Sequence, residues 1–124
     1  MTRLCAYGLT AIALACSAGV AAADYPVSGK WTYEKASDPG PAKTCTGRTM
    51  EFRGAQRLDT GSSVPQYRNV SVSPSSSSLF AVVDEFFNVQ ARGRVEYMLR
   101  IIDKDHIELQ LQRSGNVVPL RRCA

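Results

Sequence analysis

The sequence predicts a small all-β domain, an antiparallel barrel or sandwich of seven to eight strands. Two observations lead there. Turn-forming clusters recur at short intervals: Asp38-Pro39-Gly40-Pro41, Asp59-Thr60-Gly61-Ser62-Ser63, Ser73-Pro74-Ser75, Gly93, Asp103-Lys104-Asp105 and Ser114-Gly115-Asn116. Between them lie short apolar runs, the clearest of which alternate with a period of two, the spacing that puts one side of a strand in a core.

Residues 1–23 come first in the chain and read as a secretory leader. Arg3 supplies the positive start, Leu9 to Val20 is apolar or small, and Ala21-Ala22-Ala23 is a small-residue cleavage site before Asp24. A membrane-spanning helix needs about 18 to 20 consecutive apolar residues, and this run is shorter and contains Thr10, Ser17 and Gly19. Ala13-Leu14-Ala15-Cys16 partly matches the cut site of a bacterial lipoprotein, so attachment to a membrane stays open through lipidation of Cys16. The remaining residues, 24–124, suit one domain, expected to be periplasmic or secreted and monomeric.

The first strand is expected at Lys30–Glu34, with Trp31 and Tyr33 sharing a face, and the second over Arg48–Arg53, with Met50 and Phe52 together. Tyr67–Ser73 carries Val70 and Val72 on one side. Leu79–Asp84, continued by Phe86, Phe87 and Val89, is a strand by its Val and Phe content. Leu79, Val82, Val83 and Phe86 also fit helical spacing, so a short helix over 79–91 is the alternative. The last three strands form a meander. Val95, Tyr97, Leu99 and Ile101 alternate with polar residues and Met98; Ile107, Leu109 and Leu111 alternate with His106, Glu108, Gln110 and Gln112; Val117–Arg122 returns with Pro119 at an edge, at a bulge, or facing away from its partner. Residues 36–47 and 54–66 read as long polar loops.

Loss of the leader removes Cys5 and Cys16 and leaves Cys45 and Cys123, in a compartment where disulfides persist. Their bridge would enclose most of the domain and stabilise it by roughly 4 to 5 kcal/mol on the chain-entropy model. With no CxxC and one histidine, a Cys/His metal centre cannot be assembled, and no cofactor is expected. The formal charge of +4 falls by one when Arg3 is lost, too small an excess to mark a nucleic-acid binder.

Catalytic groups are sparse. His106, at the start of an alternating strand, is expected to face water. Ser75 to Ser78 lack a nucleophile elbow. Asp103 and Asp105 flank a turn, and Asp84 and Glu85 are strand neighbours that point to opposite faces, so they cannot share a proton. The arginines are more informative. Arg92 and Arg94 flank Gly93, and with Arg57, Tyr67 and neighbouring aromatics they suggest an Arg/aromatic patch for a protein partner.

Gly29-Lys30-Trp31 resembles the Gly-x-Trp signature that opens the first strand of lipocalins and their calycin relatives. The resemblance implies that Trp31 closes the base of a barrel beneath an arginine of the last strand, Arg121 or its neighbour Arg122, with Arg121 the residue assigned. In size the chain is similar to the small periplasmic metalloprotease inhibitors with a calycin-like barrel, which also carry a leader, an early Trp and one disulfide. It departs from them in placing the second cysteine at the C-terminus. The expectation is a non-catalytic exported binding module, of inhibitor or immunity type, acting on an exported enzyme or toxin. A lipocalin-like carrier of a small apolar ligand is the alternative, and a hydrolase ranks last.

Overall fold

The structure, a computed structural model, describes residues 24–33, 39–88 and 91–124. The expected leader over residues 1–23 with Cys16, the expected strand end at Glu34 and the start of the expected 36–47 loop lie outside the described residues. Eight strands form one closed barrel: β1 (Gly29–Tyr33), β2 (Thr49–Arg53), β3 (Gln56–Asp59), β4 (Gln66–Pro74), β5 (Leu79–Phe87), β6 (Arg92–Asp103), β7 (His106–Leu111) and β8 (Val117–Arg122). Each strand pairs antiparallel with the next, and β8 closes on β1 through Trp31 opposite Arg122 and Tyr33 opposite Leu120. Closure removes the open edges that a short sheet would expose.

Alternation decides what enters the barrel. Trp31, Phe52, Val82, Tyr97, Leu99, Ile107, Leu109 and Leu120 are buried and form one cluster with Met50 and Tyr25. Tyr97, Leu99, Ile107, Leu109 and Leu120 come from the predicted meander, and its β6–β7 link is a tight turn at Lys104-Asp105. There the Asp103 carboxylate accepts the Asp105 backbone N–H at 2.8 Å, the local Asp bond that favours turns. Leu111, at the strand end, is partly exposed.

The expected strand from Leu79 is present, and two other expectations are corrected. The helical alternative over 79–91 gives way to strand β5, which pairs with β4 on one side and along its whole length with β6 on the other. The 54–66 stretch is not a continuous loop, because Gly54 turns the chain with a φ of 61° and β3 follows at once. His106 is buried rather than solvated, its Nδ1 2.8 Å from the Asp103 carboxylate across the turn.

Cys45 and Cys123 are joined, with Cα atoms 5.9 Å apart and a sequence separation of 78. The bridge pins the segment before β2 to the chain just beyond β8. Backbone bonds reinforce it: Ala42 N–H donates to the Arg122 carbonyl and Ala124 N–H to the Ala42 carbonyl.

Candidate functional site

The β4–β5–β6 wall carries two different groups of side chains, one on each face. Asp84 and Glu85 are adjacent on β5, so one points into the barrel and the other to solvent.

Inside, Asp84 is fully buried and accepts four hydrogen bonds. The donors are Arg57 Nε at 2.7 Å, the Tyr25 hydroxyl at 2.8 Å, the Tyr97 hydroxyl at 2.9 Å and Asn69 Nδ2 at 3.2 Å. Arg57 lies with its guanidinium 3.9 Å from the Tyr67 ring centroid and 5.2 Å from that of Tyr97. Burial opposes the Arg57 charge, but Tyr97 and the Asp84 carboxylate outweigh it and hold the guanidinium ionised beyond its ordinary range. Burial, reinforced by Asp84, drives the Tyr25 phenol well above its usual value, and burial drives Tyr97 the same way. Tyr25 reaches this cluster from the segment ahead of β1, its ring edge-on to Phe52 and its N–H bonded to the Gly54 carbonyl. A buried ion pair whose carboxylate is this fully bonded is a framework element. Its groups are already committed to one another.

A second Asp–Arg–Tyr set stands near the far end of β3. Arg48 donates from Nε and its terminal amino group to the two Asp59 oxygens at 3.1 and 3.0 Å, and its guanidinium lies 4.2 Å from the Tyr33 ring centroid. Burial, then the Asp59 carboxylate, raises the Tyr33 phenol above its usual range.

Outside, register assembles an open groove of about 300 Å³ lined by Arg68, Glu85, Phe87, Arg92, Gly93 and Arg94. Arg68 on β4 stands opposite Glu85 on β5, which stands opposite Arg94 on β6; Phe87 stands opposite Arg92. Arg68 is bonded to the Glu85 carboxylate through Nε at 3.1 Å. Phe87 is 51% exposed and flanked from both neighbouring strands, by Arg68 at 5.6 Å and Arg92 at 5.2 Å from its centroid. Arg92 and Arg94 make no ion pair with any described residue. The groove therefore offers two uncompensated guanidiniums beside a half-exposed aromatic ring.

The expected Arg/aromatic patch is thus divided by the sheet. Arg92 and Arg94 share the groove. Arg57 is buried, so it is not available to a partner surface, and Tyr67 lies beneath it, packed edge-on against Phe86 with centroids 5.8 Å apart. Arg68, Glu85 and Phe87 complete the groove instead. The parity of β5, which sets Glu85 and Phe87 on one face, is the available signal for two of them.

The arginine over Trp31 is Arg122, at 4.4 Å from the ring, rather than Arg121. Arg122 shares the inward parity of Leu120 and sits opposite Trp31 in register. It donates from Nε to the Lys104 carbonyl at 2.8 Å and from a terminal amino group to the Ser28 carbonyl at 3.3 Å, and Ser28 also accepts the Trp31 indole N–H. Arg121, on the opposite parity, ties down the 39–41 segment through the carbonyls of Pro39, Gly40 and Pro41.

Among the described residues no three His, Cys, Asp or Glu side chains converge as a metal site would require, and no helix is long and apolar enough to cross a membrane. Comparison of the chain with family models, curated proteins and solved structures returned no match.

Proposed function

We propose that this protein is an exported, non-catalytic binding module, of inhibitor or immunity type, that acts on a protein partner through the outer groove of β4, β5 and β6. The observation that carries the reading is the placement of Arg92 and Arg94, both without ion pairs among the described residues, beside the half-exposed ring of Phe87. Arginine and aromatic side chains are the residues most often found as anchors of protein interfaces. The groove lies on strands rather than on loops, so its geometry is set before any partner arrives, which lowers the entropy lost on binding.

The test is capture from a periplasmic extract with the oxidised protein, in parallel with the charge-reversed variant Arg92→Glu/Arg94→Glu. A partner identified with the first and lost with the second, and then shown to bind the purified protein by calorimetry, is the expected result. Capture that is indifferent to the reversal places recognition elsewhere.

A lipocalin-like carrier of a small apolar ligand is the second reading. It is favoured by the closed barrel with Trp31 under Arg122 at one end, in keeping with the Gly29-Lys30-Trp31 resemblance. Against it, Trp31, Tyr97, Phe52, Leu99, Ile107, Leu120 and Val82 fill the centre, so a ligand would have to displace side chains. Titration with an apolar fluorophore, read through Trp31 quenching, discriminates: saturable binding at one equivalent supports a carrier.

A further inference from the structure

We infer that the groove reads an extended acidic segment of its protein partner, with carboxylates two residues apart held by Arg92 and Arg94; the inference rests on the binding-module reading above.

The argument begins with spacing. Arg92 and Arg94 are two residues apart on one strand and project to the same face, so their Cα atoms stand about 6.8 Å apart. A peptide in extended conformation repeats its same-side residues at that interval. Acidic residues at positions i and i+2 therefore meet the two guanidiniums in step. Residues i and i+1 point to opposite sides, and a helix brings i together with i+3 and i+4 instead.

Charge comes next. Arg68 is compensated within the groove by Glu85, which leaves the positive excess on the β6 side, at Arg92 and Arg94. Two planar guanidiniums suit two carboxylates, each able to accept a paired N–H contact. Phe87 favours a protein over a sulfated glycan. Its ring is flanked by Arg68 and Arg92, so it is not free to stack on a sugar, while its exposed portion can take an aliphatic side chain adjacent to the acidic pair.

The experiment measures fluorescence anisotropy of dye-labelled peptides with the oxidised protein at low and physiological salt. One peptide carries Glu-x-Glu next to a leucine; a second has the same composition with the two glutamates adjacent. The expected result is binding of the first about tenfold tighter than the second, and loss of about tenfold for each of Arg92→Ala and Arg94→Ala. Arg100→Ala removes the same charge from an exposed position of β6 outside the groove and should leave binding unchanged. Equal affinity for the two peptides, or equal loss with Arg100→Ala, would mean that only net charge is sensed and overturns the inference. So does tight binding of heparin with neither peptide bound. If no acidic peptide binds while partner capture still depends on Arg92 and Arg94, the acidic segment is wrong and the binding module stands; if capture is also indifferent to them, both fall.

Discussion

Replacing Arg57 by methionine tests the interior network most directly. The Asp84 carboxylate has no exposure, and of its four donors only Arg57 carries a formal charge. Methionine keeps much of the volume but leaves a buried anion held only by two phenols and an amide. Breaking one side of a buried pair costs about 3–5 kcal/mol, and the stacking of the guanidinium on Tyr67 adds about 1 kcal/mol. A domain of this size is stable by roughly 5–15 kcal/mol, so the variant should fold but lose a large fraction of its margin. Urea denaturation followed by fluorescence of Trp31, the one tryptophan of the chain, gives the loss by linear extrapolation. The companion variant Asp84→Asn leaves Arg57 as the buried unpaired charge, and should cost a similar amount. The double variant removes both charges, while the carbonyl of the amide introduced at position 84 still accepts from a tyrosine hydroxyl. It should therefore cost less than the two single changes together, by at least 2 kcal/mol or so. Additive losses, or a loss below about 1 kcal/mol for Arg57→Met, would show that the pair does not hold the interior as argued.

Three further outcomes are expected. Reduction of the Cys45–Cys123 bridge, or Cys45→Ala, should lower stability by about 2–5 kcal/mol; two titratable thiols in the denatured, unreduced protein would contradict the linkage. The phenols of Tyr25, Tyr33 and Tyr97 are all raised, by burial first and then by Asp84 or Asp59. The folded state thus keeps protons that the unfolded chain releases near pH 10, so their contribution is complete below about pH 10 and falls as pH rises further. Phenolate absorbance of these three should appear together with loss of Trp31 burial, and their ionisation near pH 10 in a still folded protein would contradict this. Gly93→Ala would set a Cβ 2.9 Å from Phe86 Cζ, a ring held against Tyr67. It should cost about 1–3 kcal/mol, relieved by Phe86→Leu, as thermal melts of the single and double variants would show.

The elements legible in the sequence are those whose inner face is apolar. β6 and β7 announce themselves because Tyr97, Leu99, Ile107 and Leu109 alternate with residues that face out. β3 is hidden for the opposite reason. Its inward residues are Arg57 and Asp59, and Leu58 is only half-buried, so the pattern reads as a polar loop. In β5 the inward Asp84 interrupts the run of apolar residues and lets a helical spacing compete. Assigning Arg121 rather than Arg122 is an error of parity, settled by which of the two stands opposite Trp31. At the groove, Arg92 and Arg94 stand out locally as a pair about a glycine. Arg68 joins them only through the register of three strands, which no local pattern encodes. Nothing in the sequence marks Tyr25, which lies outside the strands and acts through a carboxylate 59 residues away.

The inner and outer groups of the β4–β5–β6 wall belong to one arrangement. Asp84 draws Arg57 from β3, Asn69 from β4 and Tyr97 from β6 onto a single carboxylate, which fixes the mutual register of four successive strands. The next residue, Glu85, is thereby set opposite Arg68 and Arg94 on the other face. Beyond it, Gly93 leaves the inner face open for Phe86, where a Cβ would collide, while Phe87 turns outward against Arg92. A groove on a sheet of isolated surface residues would slip if the register slipped, and a one-residue shift would carry its arginines to the wrong side. Here a buried charge cluster stands directly behind the groove. Such clusters contribute little net stability compared with an apolar core, but they strongly disfavour arrangements in which their partners are separated. The bonds to Asp84 thus tie together the same strands, β4, β5 and β6, whose register sets Arg68, Glu85 and Arg94 opposite one another on the outer face.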